Sequence, residues 1–214
     1  MTTRKRSETV VAEEECACTP VVKRQCVEKP ENTNNACILF FDVETSGFNK
    51  FTDSIIQMSL LLVTRENELV RQDTFFVKGA KKMGPFNPNN FSLDVINAEG
   101  VEPEEAAKRF EAAAAQACLL VAHNAMFDMS WLETLPGVDG GVYDSKVFCT
   151  YLKGKNLYEW KDKRGRRKKP TLVELYTFLF PDATPRLGVH SADVDVDMLR
   201  CCFFKAFESD IPRE

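Results

Sequence analysis

Asp42 and Glu44 stand two residues apart, after the apolar run Ile38-Leu39-Phe40-Phe41 and ahead of a Thr45-Ser46-Gly47 turn. Alternate residues of an extended strand share a face, so the two carboxylates project side by side at a strand end. Acids so placed repel each other unless a cation sits between them, and their hard oxygens suit Mg2+ or Mn2+. A lone Asp-x-Glu also fits a solvated strand end, so the reading requires more acids. Asp128 lies in His123-Asn124-Ala125-Met126-Phe127-Asp128, where Asn124 and Asp128 share a helix face. Asp193, Asp195 and Asp197 follow His190 and an N-capping Ser191 at the start of a last helical segment. Spacing does not choose between these three. The chain has two histidines, His123 and His190, and each stands beside candidate metal carboxylates.

The elements around these residues alternate in type. After Ile38 to Gly47, the runs Ser54–Val63 and Leu69–Val77 read as further strands joined by short turns, an antiparallel meander. A Gly-Pro-Asn loop from Gly79 to Asn90 leads to a short helix near Phe91–Asn97. Glu102-Pro103-Glu104-Glu105 is a strong helix start, and the Ala-rich segment continues to Ala117. Cys118–Ala122 is a short buried strand running into His123-Asn124. The sequence then predicts a helix over Ala125–Leu135, a brief strand at Val142-Tyr143, and helices over Lys146–Leu152, Thr171–Phe180 and from His190 to about Glu208. Strands followed by alternating helix and strand make an α/β fold.

With 214 residues and 44% apolar content, the chain suits one domain plus a tail. Residues 1–35 show neither helical nor alternating periodicity and read as a disordered tail; 36–209 form the domain and 210–214 a short C-terminal tail. The formal charge of −4 excludes a whole-chain basic footprint, so any polyanion site is local. The eight cysteines form no CxxC pair, which points to a reducing, intracellular setting, nuclear or cytoplasmic, without structural disulfides. Cys16-Ala17-Cys18 in the tail is an alternative redox or metal site. No stretch has the length of a secretion signal core or a membrane span.

Together the motifs carry a resemblance. Asp42-Val43-Glu44-Thr45, His123-Asn124 with Phe127-Asp128, and His190 ahead of Asp195 resemble, in order and distance, the three motifs of the DEDDh, or DnaQ-like, family of 3′→5′ exonucleases. Tyr143-Asp144-Ser145 and Leu172-Val173-Glu174-Leu175 resemble the stretch between the family's second and third motifs, and His190-Ser191-Ala192 with Asp195-Val196 looks like its eukaryotic branch acting on DNA 3′ ends. The resemblance covers roughly residues 36–207. It implies a ribonuclease H-like fold, a five-stranded mixed sheet flanked by helices. It also implies metal ligation of two Mg2+ ions, with Mn2+ as substitute, by Asp42, Glu44, Asp128 and Asp195, and makes His190 the general base. Asp195 is thereby chosen over Asp193 and Asp197. Two divalent ions about 4 Å apart lower the pKa of the attacking water and hold the leaving oxygen, and an imidazole with a pKa near 6.5 can take the proton.

The resemblance further implies that Thr45 and Ser46 lie near the terminal 3′-hydroxyl and that Phe48 wedges against the last base, the alternative being that Phe48 closes the core. His123 and Asn124 are further candidates for the terminal nucleotide site. Between Lys153 and Lys169 the chain turns strongly basic, with Arg164, Arg166, Arg167 and Lys168 in its dense part. Such a segment is a solvated loop, a nuclear localisation signal or a phosphate-backbone contact. Its place between the second and third motifs favours the last, with Tyr158 and Trp160 stacking on bases or anchoring the loop. The expected activity is metal-dependent release of nucleoside 5′-monophosphates from single-stranded or frayed DNA 3′ ends. RNA or short oligonucleotides are the alternative substrates, a non-catalytic binding module the alternative function, and a polymerase or repair protein a possible partner.

Overall fold

The computed structural model of the protein describes residues 37–85, 87, 89–183 and 190–212. The expected N-terminal tail, its Cys16-Ala17-Cys18 site and part of the connection before His190 lie outside the described residues. The chain forms the expected five-stranded mixed sheet, in the order β3-β2-β1-β4-β5. Central β1 (Cys37–Thr45) runs antiparallel to β2 (Ile55–Val63), which runs antiparallel to β3 (Leu69–Phe76). On its other side β1 is parallel to β4 (Ala117–Ala122), and β4 to β5 (Val147–Cys149).

Strand alternation sorts β1 between two cores. Leu39, Phe41 and Val43 pack with Ala106, Phe110 and Ala114 of α2 (Pro103–Ala114) and with Trp131 of α3 (Ala125–Leu132). Ile38 and Phe40 pack on the opposite face with Leu175 of α5 (Leu172–Leu179) and with Val196, Leu199 and Phe203 of α6 (Ala192–Ala206). Full burial of each such Leu, Ile or Phe is worth roughly 1.5–3 kcal/mol. Two-sided burial explains why Ile55–Val63 reads as a continuous apolar run: every residue of β2 is buried. Two short helices, α1 (Leu93–Glu99) and α4 (Thr150–Gly154), complete the described set. Thr171 caps α5 as the sequence predicts, in a reciprocal capping box with Glu174.

The fifth strand is displaced from its expected place. Val142-Tyr143 lies in a 3-10 segment, Gly140–Lys146, favoured by the Gly140-Gly141 pair and by the Asp139 carboxylate accepting from the Gly141 N–H at 3.1 Å. Val147-Phe148-Cys149, expected in a helix, supplies the edge strand against Leu120–Ala122 instead, and the helix begins only at Thr150. The expected C-terminal tail begins docked: Asp210 pairs with Lys153 at 3.3 Å, and the Pro212 carbonyl accepts from Arg65.

Candidate metal and nucleic-acid site

Asp42 and Glu44 follow Ile38 and Phe40 on the face of β1 that α6 covers. Across from them, helical period places Asp195 on the stripe of Ala192, Leu199 and Cys202, all buried against the sheet. Carboxylate oxygens of Asp42, Glu44 and Asp195 therefore lie within 4.8 Å of one another. The neighbouring acids are occupied elsewhere, which decides among the three that spacing left open. Asp193 accepts from the Ser191 hydroxyl at 2.5 Å, and Asp197 pairs with Arg200 at 2.8 Å.

Asp128 joins from the other side of β1. Strand β4 pairs with β1 only as far as Phe40, so the Val43 N–H on that edge has no strand partner and donates to Asp128 Oδ1 at 3.3 Å. The second oxygen, Asp128 Oδ2, is buried with no hydrogen-bond partner among the described residues. An orphaned carboxylate oxygen beside three converging acids is an arrangement a cation completes. The pKa values agree. Burial pushes Glu44 up to about 8, helped by Asp195 and Asp128. Burial also pushes Asp128 to about 8, against the hydrogen bond from Val43. Asp42 is raised well above the ordinary range by burial and then by Asp128, Asp195 and Glu44. Asp195 rises to about 6 through burial, less the effect of the His190 N–H and ring. Hard oxygen donors in this number fit one or two small divalent ions.

His190 is exposed and holds a left-handed backbone, φ 74°, a conformation that costs a non-glycine residue energy and clusters at functional sites. Its N–H donates to Asp195 Oδ1 at 3.3 Å and its carbonyl accepts from the Asn89 amide. Asn89 also lines a cleft of about 550 Å3 that runs from Glu44 past Thr45, Phe48, Met83, Phe91 and Phe127. Phe48, 77% exposed, stands at this cleft and does not close the core. Thr45 lines it too, with its hydroxyl donating to the Gly47 carbonyl at 2.7 Å.

Ser46 and His123 have different surroundings from those expected. Ser46 is 1% exposed, its Oγ accepts from the Ser54 N–H at 3.0 Å, and its carbonyl accepts from Gly84 at 2.6 Å, so it braces the turn rather than lining the cleft. His123 Nε2 donates to the Pro170 carbonyl at 3.1 Å, which leaves Nδ1 to accept from the Thr150 hydroxyl at 2.9 Å. Burial lowers its pKa to about 4, so the ring is neutral. It ties the end of β4 to α4 and α5 and offers a nucleotide no free ring nitrogen. Asn124 is exposed at the start of α3, with a left-handed φ of 71° that Asn tolerates.

The basic segment folds into a tight hairpin. Lys161 bridges Arg167, Gly165 takes the positive-φ position, and Asp162 accepts from the Arg164 and Arg166 N–H groups. Trp160 anchors it: its ring is 8% exposed, Nε1–H donates to the Gly154 carbonyl at 2.8 Å, and Phe178 packs beside it. Much of the charge is spent internally. Arg166 pairs with Asp162, Arg167 and Lys161 with Glu159, and Lys168 with Glu174. Lys163 and Arg164 make no ion pair among the described residues and remain for an outside anion.

Sequence reading missed Gln57. It stands opposite Glu44 in the β1–β2 register, is buried, and its Oε1 accepts from the Ala192 N–H at 3.0 Å. One side chain thus fixes the N-terminus of α6, and with it Asp195, against the strand carrying Glu44. A polar Gln inside the mostly apolar β2 run, which holds only Ser59 as a second polar residue, is the available signal.

No protein-family model matches the chain, and no curated protein matches its sequence. Solved structures do share its fold. E. coli exonuclease I in complex with a dA16 oligonucleotide superposes with a TM-score of 0.65 at 15% identity, over 81% of this chain and 41% of that one. A product-bound exonuclease I gives 0.63 at 15% identity over 80% and 43%, and the zinc-bound E. coli ExoI–ssDNA complex gives 0.64 at 16% over 84% and 42%. The chain thus spans about two-fifths of the length of these proteins, and at such identities the likeness is one of fold.

Proposed function

We propose that the chain is a divalent-metal-dependent 3′→5′ exonuclease whose domain spans 36–209 and which releases nucleoside 5′-monophosphates, with single-stranded or frayed DNA ends as its favoured substrate. The observation that carries this reading is the convergence of Asp42, Glu44 and Asp195 within 4.8 Å, with the orphaned Oδ2 of Asp128 behind them. The exonuclease I fold neighbours, among them complexes with a dA16 oligonucleotide and with ssDNA, support a nucleic-acid substrate.

Asp42, Glu44 and Asp195 would hold the ions, Mg2+ or Mn2+ by donor chemistry, and Asp128 would complete the set. Bound there, such ions supply Lewis acidity toward the attacking water and the departing oxygen. His190, on its exposed turn beside Asp195, takes the proton from that water at a ring nitrogen. Thr45 and Phe48 receive the terminal nucleotide in the adjoining cleft, where an aromatic stack is worth about 1–3 kcal/mol. Lys163 and Arg164 extend the phosphate contact from the hairpin. A polymerase or repair protein that supplies the 3′ end is a compatible partner.

Calorimetric titration with Mn2+ tests the centre. Wild type and His190→Ala should bind, while Asp42→Ala and Asp195→Ala should not; unchanged affinity in Asp42→Ala contradicts the assignment. Matched labelled DNA and RNA strands, incubated with Mg2+ or with chelator, then separate the DNA reading from the RNA alternative. A protein that binds both and shortens neither is a binding module.

A further inference from the structure

The turn joining β1 to β2 has two sides, and only one of them belongs to the site above. It is tightly built. The Asn49 carbonyl accepts from Thr52 and Asp53, the Asn49 N–H donates to Asp53 Oδ2 at 2.9 Å, and the Phe51 N–H donates to Asn49 Oδ1 at 3.0 Å. A side chain on Gly47 would meet Asp53 Oδ2 at 2.4 Å. This rigid turn holds Phe48 toward the cleft that contains Glu44. On its far side a second cleft of about 600 Å3 is lined by Phe51, Lys50, Lys78 and Lys81 over a floor of Ile55, Val77 and Pro103. Asp53 forms a wall of both clefts.

Phe51 is 99% exposed. Its turn fixes it without giving its ring anything to pack on, which is the state of a preformed stacking platform. Lys78 pairs with Glu102 and Lys82 with Asp53, whereas Lys50 and Lys81 make no ion pair among the described residues. In a chain of net charge −4, two unpaired lysines flanking an exposed aromatic mark a local site for a stackable polyanion.

We propose that this second cleft binds the complementary strand of a duplex end: its base stacks on Phe51 and its phosphates lie on Lys50 and Lys81. The turn then stands between the two strands, with one phenylalanine on each, and opens the terminal pair so that a single 3′ end enters the catalytic cleft. The proposal rests on the nuclease reading only for which strand lies on which side.

The experiment measures fluorescence anisotropy of a labelled blunt duplex and of its isolated single strand, in chelator so that nothing is cut, with Phe51→Ala and with Lys50→Gln/Lys81→Gln. Duplex affinity should fall about tenfold in each variant, and the double lysine variant should lower the slope of log affinity against log salt by about 2. Single-strand affinity and thermal unfolding should not move. Duplex affinity unchanged, wild-type duplex binding undetectable, or duplex and single-strand affinities falling together would each overturn the proposal, the last because the cleft would then hold the strand being shortened. A wild type that binds duplex in this pattern but shortens no strand in Mn2+ refutes the nuclease reading and leaves the second cleft standing.

Discussion

Neutralising Asp42 should make the metal-free protein more stable while removing its response to metal. The acid oxygens of Asp42, Glu44 and Asp195 lie within 4.8 Å of one another. At an effective dielectric constant of about 20, each ionised pair at that distance costs about 3.5 kcal/mol. Protonation relieves most of this: burial first, and then the charges of Asp195 and Asp128, hold Glu44 up at about 8. At pH 8 in chelator, Asp42→Asn should keep a net gain of about 1–2 kcal/mol, or roughly 3–6 °C for a domain of this size. With free Mn2+ at about 100 times its dissociation constant, wild type should gain about 2.7 kcal/mol and overtake the variant, which should gain little. Thermal unfolding followed by circular dichroism, with chelator and with Mn2+, reads both effects. An Asp42→Asn protein that melts lower than wild type in chelator, or that rises equally with Mn2+, would refute an electrostatically frustrated metal centre.

The same electrostatics set a pH dependence. Glu44 and Asp128 titrate near 8 when folded and near 4 when unfolded, so the folded state binds more protons between those values. Metal-free stability should therefore rise as pH falls from about 8 to 6.5, and this trend should flatten or reverse in Mn2+. Below 6.5 the lowered pKa of His123 acts with opposite sign, since its folded form resists protonation until about 4; melting curves across pH in both buffers check the window. Gln57→Leu removes the acceptor that holds the Ala192 N–H and should cut kcat about tenfold, with weaker Mn2+ affinity by calorimetry. In the hairpin, Arg164→Gln should lower the salt slope of substrate binding by about 1, whereas Arg166→Gln, already paired with Asp162, should leave it unchanged in a filter-binding titration.

The β1 strand and its acids are legible in sequence because two independent constraints coincide there: period-2 burial fixes which residues share a face, and a paired carboxylate needs a cation. The α2 start is legible for a similarly local reason, Pro103 and acids at a helix N-terminus. Val147–Cys149 was not, because a three-residue edge strand carries no period of its own and exists only by pairing with β4. The choice of Asp195 needed either family resemblance or the structure, since three acids at alternate positions of one helix start look alike until the helix packs: Asp195 then lies beside Asp42 and Glu44, while Asp193 and Asp197 bond to Ser191 and Arg200. Family resemblance implies that Ser46 lies near the terminal nucleotide, and His123 is a candidate for the same site by its place in the second motif. Their burial and hydrogen bonds depend on segments distant in sequence, Gly84 for one and Pro170 for the other. The basic run likewise overstated its free charge, because its acidic partners Glu159, Asp162 and Glu174 are read as separate residues until the hairpin closes.

The central claim is tested most directly by the position from which label leaves a strand. A DNA oligonucleotide labelled on its 3′-terminal nucleotide should release labelled 5′-monophosphate from the first seconds in Mg2+, while the same strand labelled at its 5′ end should give a ladder that shortens gradually. Both should stop in chelator and in Asp195→Asn, and slow severely in His190→Ala. Release beginning at the 5′ end, internal cuts, or shortening that persists in chelator or in Asp195→Asn would contradict the account.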